Sequence, residues 1–175
     1  RVALVRDVAR WRDGERAESP EVIVAAVAAP EPVLAVPLGG RRGFAPPILL
    51  DRGLIAALES AAVRGTIPTR VISELPDPVS LPQEIERNAY FVASEALANA
   101  VKHSGATSIE VRVRLDAQHL SVAVSDDGTG GAAATPGHGL AGLEERLRGL
   151  GGTLEVNSPA GGPTVITAHL PVPAS

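Results

Sequence analysis

At 175 residues the chain is long enough for one domain with a real core, and its 45% apolar content excludes a disordered polymer. A formal charge of −4 provides no basic face, so direct nucleic-acid binding is not expected. Cysteine is absent, which removes disulfides and thiolate metal sites, and the four histidines, His103, His119, His138 and His169, show no ligand spacing.

Residues 1–16 read as a helix with Leu4, Val8 and Trp11 on one stripe. Residues 21–38, "EVIVAAVAAPEPVLAVPL", read as two β segments joined at "PEP", with Pro37 demoting the second to a sheet edge. The longest apolar run, Val22–Ala29, falls far short of the ~18 residues that span a bilayer, and no signal peptide precedes it. A chain that opens at Arg1 rather than methionine reads as part of a longer protein. "GGRRGFAPP", 39–47, has the composition of a linker. The expected division is an unassigned segment, 1–43, and a main domain, 44–175.

From Leu49 the periodicities sharpen. "LLDRGLIAALESAAVRG" predicts a short helix and "IPTRVISEL" a strand that ends at the proline-rich "PDPVSLP". "QEIERNAYFVASEALANAVKHSG" predicts one long helix closing at Gly105, with Lys102 and His103 in the last turn, where the helix dipole favours cations. Two strands follow, "SIEVRVRL" and "HLSVAVSD", each alternating apolar and polar residues, so one sheet face is buried and one is wet. A helix from Gly139 carries Leu140, Leu143, Leu147 and Leu150 on one stripe and stops at a glycine pair. "TLEVNS" and "PTVITAHL", joined by "PAGG", predict a closing hairpin. The predicted fold class is α+β, a two-layer sandwich whose mixed, mostly antiparallel sheet has helices on one face.

Within this frame the polar residues fall into three groups. Strand parity puts Asp126 of "DDGTGG" on the buried side and turns Asp127 outward. Asp126 is then either a turn-forming acid that caps its own loop or a carboxylate at the base of a pocket, accepting from a ligand amine. On the long helix, at 100° per residue, Glu95, Asn99, Lys102 and His103 share one arc, with Tyr90, Ala93, Leu97, Ala100 and Val101 opposite. That arc is either a solvated face or a site where a hard amide oxygen meets Mg²⁺ and a lysine meets phosphate. "GHGL", at the start of the next helix, either loosens a helix end or frees backbone N–H groups for an anion. It matches neither the P-loop nor the dinucleotide-binding pattern.

Taken together, "SEALANAVKHSGA", "DDGTGG" and "GHGLAGLEERLRGLGGTLEVNSPAGGPTVITAHLP" resemble the N box, the two glycine boxes and the closing hairpin of the ATP-binding domain of bacterial sensor histidine kinases. That domain belongs to a superfamily shared with gyrase, heat-shock chaperone and mismatch-repair ATPases. "GLAGLEERLRGLGG" and "FAPPILLDRGLIAALES" are most similar to the subclass paired with helix-turn-helix response regulators. The resemblance covers about residues 44 to 172. It implies that Asp126 accepts the exocyclic amine of adenine, that Gly128 and Gly130 let the backbone approach the base, and that Thr164 sits beneath the ring. Residues 131–138 would form a lid hinged at Gly137, Gly139 and Leu140. Asn99 would coordinate Mg²⁺, Lys102 and His103 would face the phosphates of ATP, and Glu95 would polarise the attacking group.

Implied partners are a dimerisation domain bearing the phosphoacceptor histidine and a response regulator, in a homodimeric full-length protein with this part in the cytoplasm. Two departures from the family pattern stand out. Pro163 replaces the usual glycine before the threonine, and residues 1–43 contain no histidine. The expected activity is transfer of the γ-phosphoryl of Mg-ATP to a histidine outside this chain. The alternatives are a serine kinase of the anti-sigma-factor type, which stable sigma-factor binding would identify, and a non-catalytic nucleotide sensor, against which the pairing of Glu95 with Asn99 speaks.

Overall fold

The computed structural model describes residues 22–24, 45–116, 118–132 and 139–173. The helix expected over 1–16 and most of the segment 21–47, including the boundary at residue 44, lie outside those residues. Six strands form one sheet: β1 (Val22–Val24), β2 (Thr69–Glu74), β3 (Ile109–Leu115), β4 (His119–Asp126), β5 (Thr153–Asn157) and β6 (Thr164–Pro171), in the order β1-β2-β3-β4-β6-β5. β2 and β3 run parallel, and every other pairing is antiparallel. Among the described residues three α-helices, α1 (Pro47–Arg64), α2 (Gln83–Asn99) and α3 (Gly139–Arg148), accompany the sheet.

The alternation in β3 and β4 does what it predicts. Ile109, Val111 and Val113 are buried with Leu120, Val122 and Val124, while Arg112 and Arg114 are exposed. The helices bury Leu54 and Leu58 of α1, Val92, Ala93 and Ala96 of α2, and Leu140, Leu143 and Leu147 of α3 in the same core. Small aliphatic side chains let helix and sheet approach closely, which is how a chain with 2% aromatics fills its interior. The guanidinium of Arg146 lies 5.0 Å from the ring centre of Phe91 and ties α3 to α2.

Two helices depart from the regular forms expected of them. α1 is broken at Gly53, whose backbone (φ 79°, ψ −178°) is a conformation open almost only to glycine. The break frees the N–H of Leu54, which donates to Glu86 Oε1 of α2 at 3.1 Å, so a neighbouring helix caps the second half of α1. α2 stops being α-helical at Asn99. Ala100–Ser104 form a π turn, and Gly105 ends it in the left-handed region at φ 64°. The uniform arc of 100° per residue therefore holds only as far as Asn99, because the wider turn resets the direction of Lys102 and His103. The stop expected after α3 is a Schellman arrangement: Gly151 N–H donates to Arg148 O at 3.0 Å and Gly152 N–H to Leu147 O at 2.8 Å, with Gly151 at φ 73°.

Candidate functional site

Asp126 is the last residue of β4 and is 6% exposed, on the buried side that its parity predicts. Its Oδ1 accepts the N–H of Gly128 at 2.9 Å. That is the side chain's only hydrogen bond among the described residues, so Oδ2 keeps an open acceptor site. Directly across the ladder stands Thr164, 5% exposed, whose hydroxyl meets the Ser158 hydroxyl at 2.8 Å. Pro163 lies just outside the ladder and leaves the pairing of Thr164 with Asp126 intact.

Asp127 points outward, as expected, but has a defined task. It accepts four hydrogen bonds from the two residues that precede β3: from Thr107 N–H and Oγ1–H, both at 2.7 Å, and from Ser108 N–H and Oγ–H, both at 3.0 Å. The Thr107 hydroxyl above all, then the amides of Ser108 and Thr107, hold its carboxyl far below the usual carboxylate range. The turn-forming role open to "DDG" is thus filled twice: Asp126 caps its own loop through the N–H of Gly128, and Asp127 caps a neighbouring one through Thr107 and Ser108.

The glycines of this loop are required by the protein itself. A Cβ on Gly128 would collide with the carbonyl oxygen and Cβ of Ser104, and one on Gly130, at φ 65°, would collide with Pro159 O. The loop is pinned on both sides. Thr129 donates to Ser104 O through its N–H at 2.9 Å, and Gly161 N–H donates to Thr129 O at 2.7 Å. Ala132 N–H donates to Ser158 Oγ at 2.8 Å. Ser104, Thr129 and Ser158 were not singled out from sequence. The only signal for them is a small hydroxyl residue beside each glycine corner, and it becomes legible once the strand register is known.

On the helix side, Glu95 and Asn99 are half-buried, and Lys102 and His103 on the π turn are exposed. Among the described residues none of these four side chains makes a hydrogen bond or ion pair. Acid, amide and bases are therefore left available at one end of α2. No group of three His, Cys, Asp or Glu residues capable of holding a metal occurs among the described residues. A single neutral amide suits an ion that keeps most of its ligands from water and phosphate, as Mg²⁺ does. Gly139 opens α3 and the side chain of Leu140 is in the core, while Gly137, His138 and most of the expected lid, 131–138, lie outside the described residues.

Comparison with known proteins bears on this arrangement. A family model described as histidine kinase-, DNA gyrase B-, and HSP90-like ATPase matches residues 84–174, just over half of the chain. The sensor histidine kinase MctS of Rhizobium johnstonii is 35% identical over 141 residues, covering 74% of this chain and 30% of that protein. YxjM of Bacillus subtilis, also a sensor histidine kinase, is 33% identical over 104 residues, covering 59% and 25%. The chain thus spans about a third or less of the length of these relatives. Among solved structures, the blue-light activated histidine kinase of Erythrobacter litoralis EL346 aligns with a TM-score of 0.53 at 25% identity, over 70% of this chain and 40% of that one. The Acinetobacter baumannii histidine kinase AdeS, at 18% identity and a TM-score of 0.51 over 67% of this chain and 60% of that one, shares the fold. The matched segment runs from the first turn of α2 through the end of β6, and the chain belongs to the family of histidine kinase-, DNA gyrase B- and HSP90-like ATPases.

Proposed function

We propose that residues 44–175 are the ATP-binding catalytic domain of a sensor histidine kinase. The domain passes the γ-phosphoryl of Mg-ATP to a histidine on a dimerisation domain, and from there to a response regulator. The observation that supports this most is the buried Asp126, with one carboxylate oxygen fixed by Gly128 and the other open, beside the buried Thr164. Such a pair suits the amine edge of adenine, and Gly128 and Gly130, by packing closely on Ser104 and Pro159, would hold the loop backbone where it can approach the base. Asn99 would hold Mg²⁺, which when bound neutralises and orients the phosphates. Lys102 and His103 would face those phosphates, Gly137, Gly139 and Leu140 would hinge the lid, and Glu95 would accept the proton of the incoming imidazole. Catalysis of this kind is mostly positioning and charge compensation, which matches a site with many small residues and few ionisable ones. The full-length protein would be a homodimer with this domain in the cytoplasm.

Calorimetric titration with ATP and GTP, with and without Mg²⁺, tests the reading. Guanine presents a carbonyl where adenine presents its amine, so Asp126 would face an acceptor, and GTP is expected to bind ~10-fold or more weakly. Equal affinity for the two nucleotides overturns the assignment.

A further inference from the structure

Ser104 has no part in the reading above, yet both halves of the proposed site meet at it. The residue is 7% exposed. Its hydroxyl donates to Ala100 O across the π turn at 2.7 Å and accepts the N–H of Ala106 at 3.0 Å. Its carbonyl accepts both the N–H of Thr129, at 2.9 Å, and the Thr129 hydroxyl, at 3.3 Å. Gly128 approaches it so closely that no Cβ would fit.

A helical serine that bonds its own i−4 carbonyl is ordinarily a local matter. Here the same residue's carbonyl is taken by the glycine loop, so one residue carries bonds of both kinds. The hydroxyl shapes the turn that follows Asn99 and bears Lys102, and the carbonyl holds the loop that fixes the carboxylate of Asp126 through Gly128. We propose that Ser104 is a positioning residue that sets the separation between the phosphate end of the site, Asn99 and Lys102, and its adenine end, Asp126. The inference rests on the ATP reading. Its physical basis is that a ligand held at two ends gains from the second anchor only while the anchors keep the right spacing. A ligand held at one end is indifferent to that spacing.

The experiment uses the whole chain and two probes, Mg-ATP, which spans both ends, and adenosine, which reaches only one. Ser104→Ala is expected to weaken Mg-ATP binding ~5–10-fold while adenosine stays within about twofold. Thr129→Val, on an exposed residue, keeps the backbone bond and loses the hydroxyl's; a split of the same sense but smaller, ~2–5-fold, is expected, and this variant decides the matter if Ser104→Ala does not fold. A residue with a merely structural role would move both ligands together. Equal losses for the two probes, or no loss for either, overturn the inference while leaving the ATP reading in place. Wild-type chain that binds neither probe overturns both.

Discussion

Asp126 and Asp127 are neighbours in sequence that face opposite ways at the end of one strand, and their environments give them separate jobs. Asp126 is buried with an open acceptor oxygen, whereas all four bonds to Asp127 come from Thr107 and Ser108. Asp126→Asn is therefore expected to weaken ATP and adenosine alike, roughly 10-fold, through loss of a charge-assisted bond to the ring amine. Asn99→Ala is expected to leave adenosine binding nearly intact and remove most of the advantage Mg²⁺ gives to ATP. An Asn99→Ala chain that responds to Mg²⁺ like wild type would make the end of α2 a solvated face. Asp127 carries a pH signature. Its folded carboxyl lies below its unfolded value of about 3.9, so the stability it contributes is present above that pH and fades as pH falls below it. Urea midpoints measured from pH 7 down to pH 3 are expected to show Asp127→Asn less stable at neutral pH, with the gap narrowing below about pH 4. A gap of constant size would mean that the carboxylate charge is not what these bonds use.

Each departure from regularity at the level of elements occurs where one element is held by another. Gly53 breaks α1 where Glu86 of α2 takes the freed amide, and a Cβ there would lie 3.3 Å from the Glu86 carboxylate. Gly53→Ala is expected to cost about 1–3 kcal/mol and to lower Tm by roughly 2–12 °C, measured by thermal unfolding. An unchanged Tm would mean that α1 can run straight through residue 53. Nothing in "LLDRGLIAAL" announces the break, since one glycine in a helical run is ordinarily tolerated at ~1 kcal/mol. The π turn was equally illegible. It depends on Ser104 meeting Ala100 and Thr129, and Thr129 lies 25 residues away. What could be read directly was whatever local period dictates: the alternation of β3 and β4, the leucine stripe of α3 and the two glycines that end it. The parity of β4 was enough to bury Asp126, whereas the place of Thr164 beside it followed from the family resemblance and is fixed by the register of β4 with β6.

At the scale of the whole molecule, the sheet order puts β4 next to β6, and the π turn that follows α2 meets the loop after β4, so the end of the long helix, the first glycine motif and the closing hairpin come together. No helix among the described residues is long and apolar enough to cross a membrane. On the proposed reading the site has an adenine end and a phosphate end, and the reaction needs an imidazole delivered in line with the γ-phosphoryl. The three histidines among the described residues are poorly placed for that. His103 stands on the π turn beside the phosphate end, and the side chains of His119 and His169 engage Asp116 at 3.7 Å and Ser121 at 3.0 Å on the sheet. Residues 1–43 supply no histidine. The chain alone is therefore expected to bind ATP without labelling itself from [γ-³²P]ATP, and a matching dimerisation domain added in trans is expected to become labelled. Glu95→Gln is then expected to slow transfer ~10²-fold or more with little change in ATP affinity, the mark of a group that acts only as the proton leaves. Acid-labile phosphate on the isolated chain would show that one of its own histidines reaches the γ-phosphoryl. Equal loss of binding and transfer in Glu95→Gln would make that carboxylate part of the nucleotide pocket.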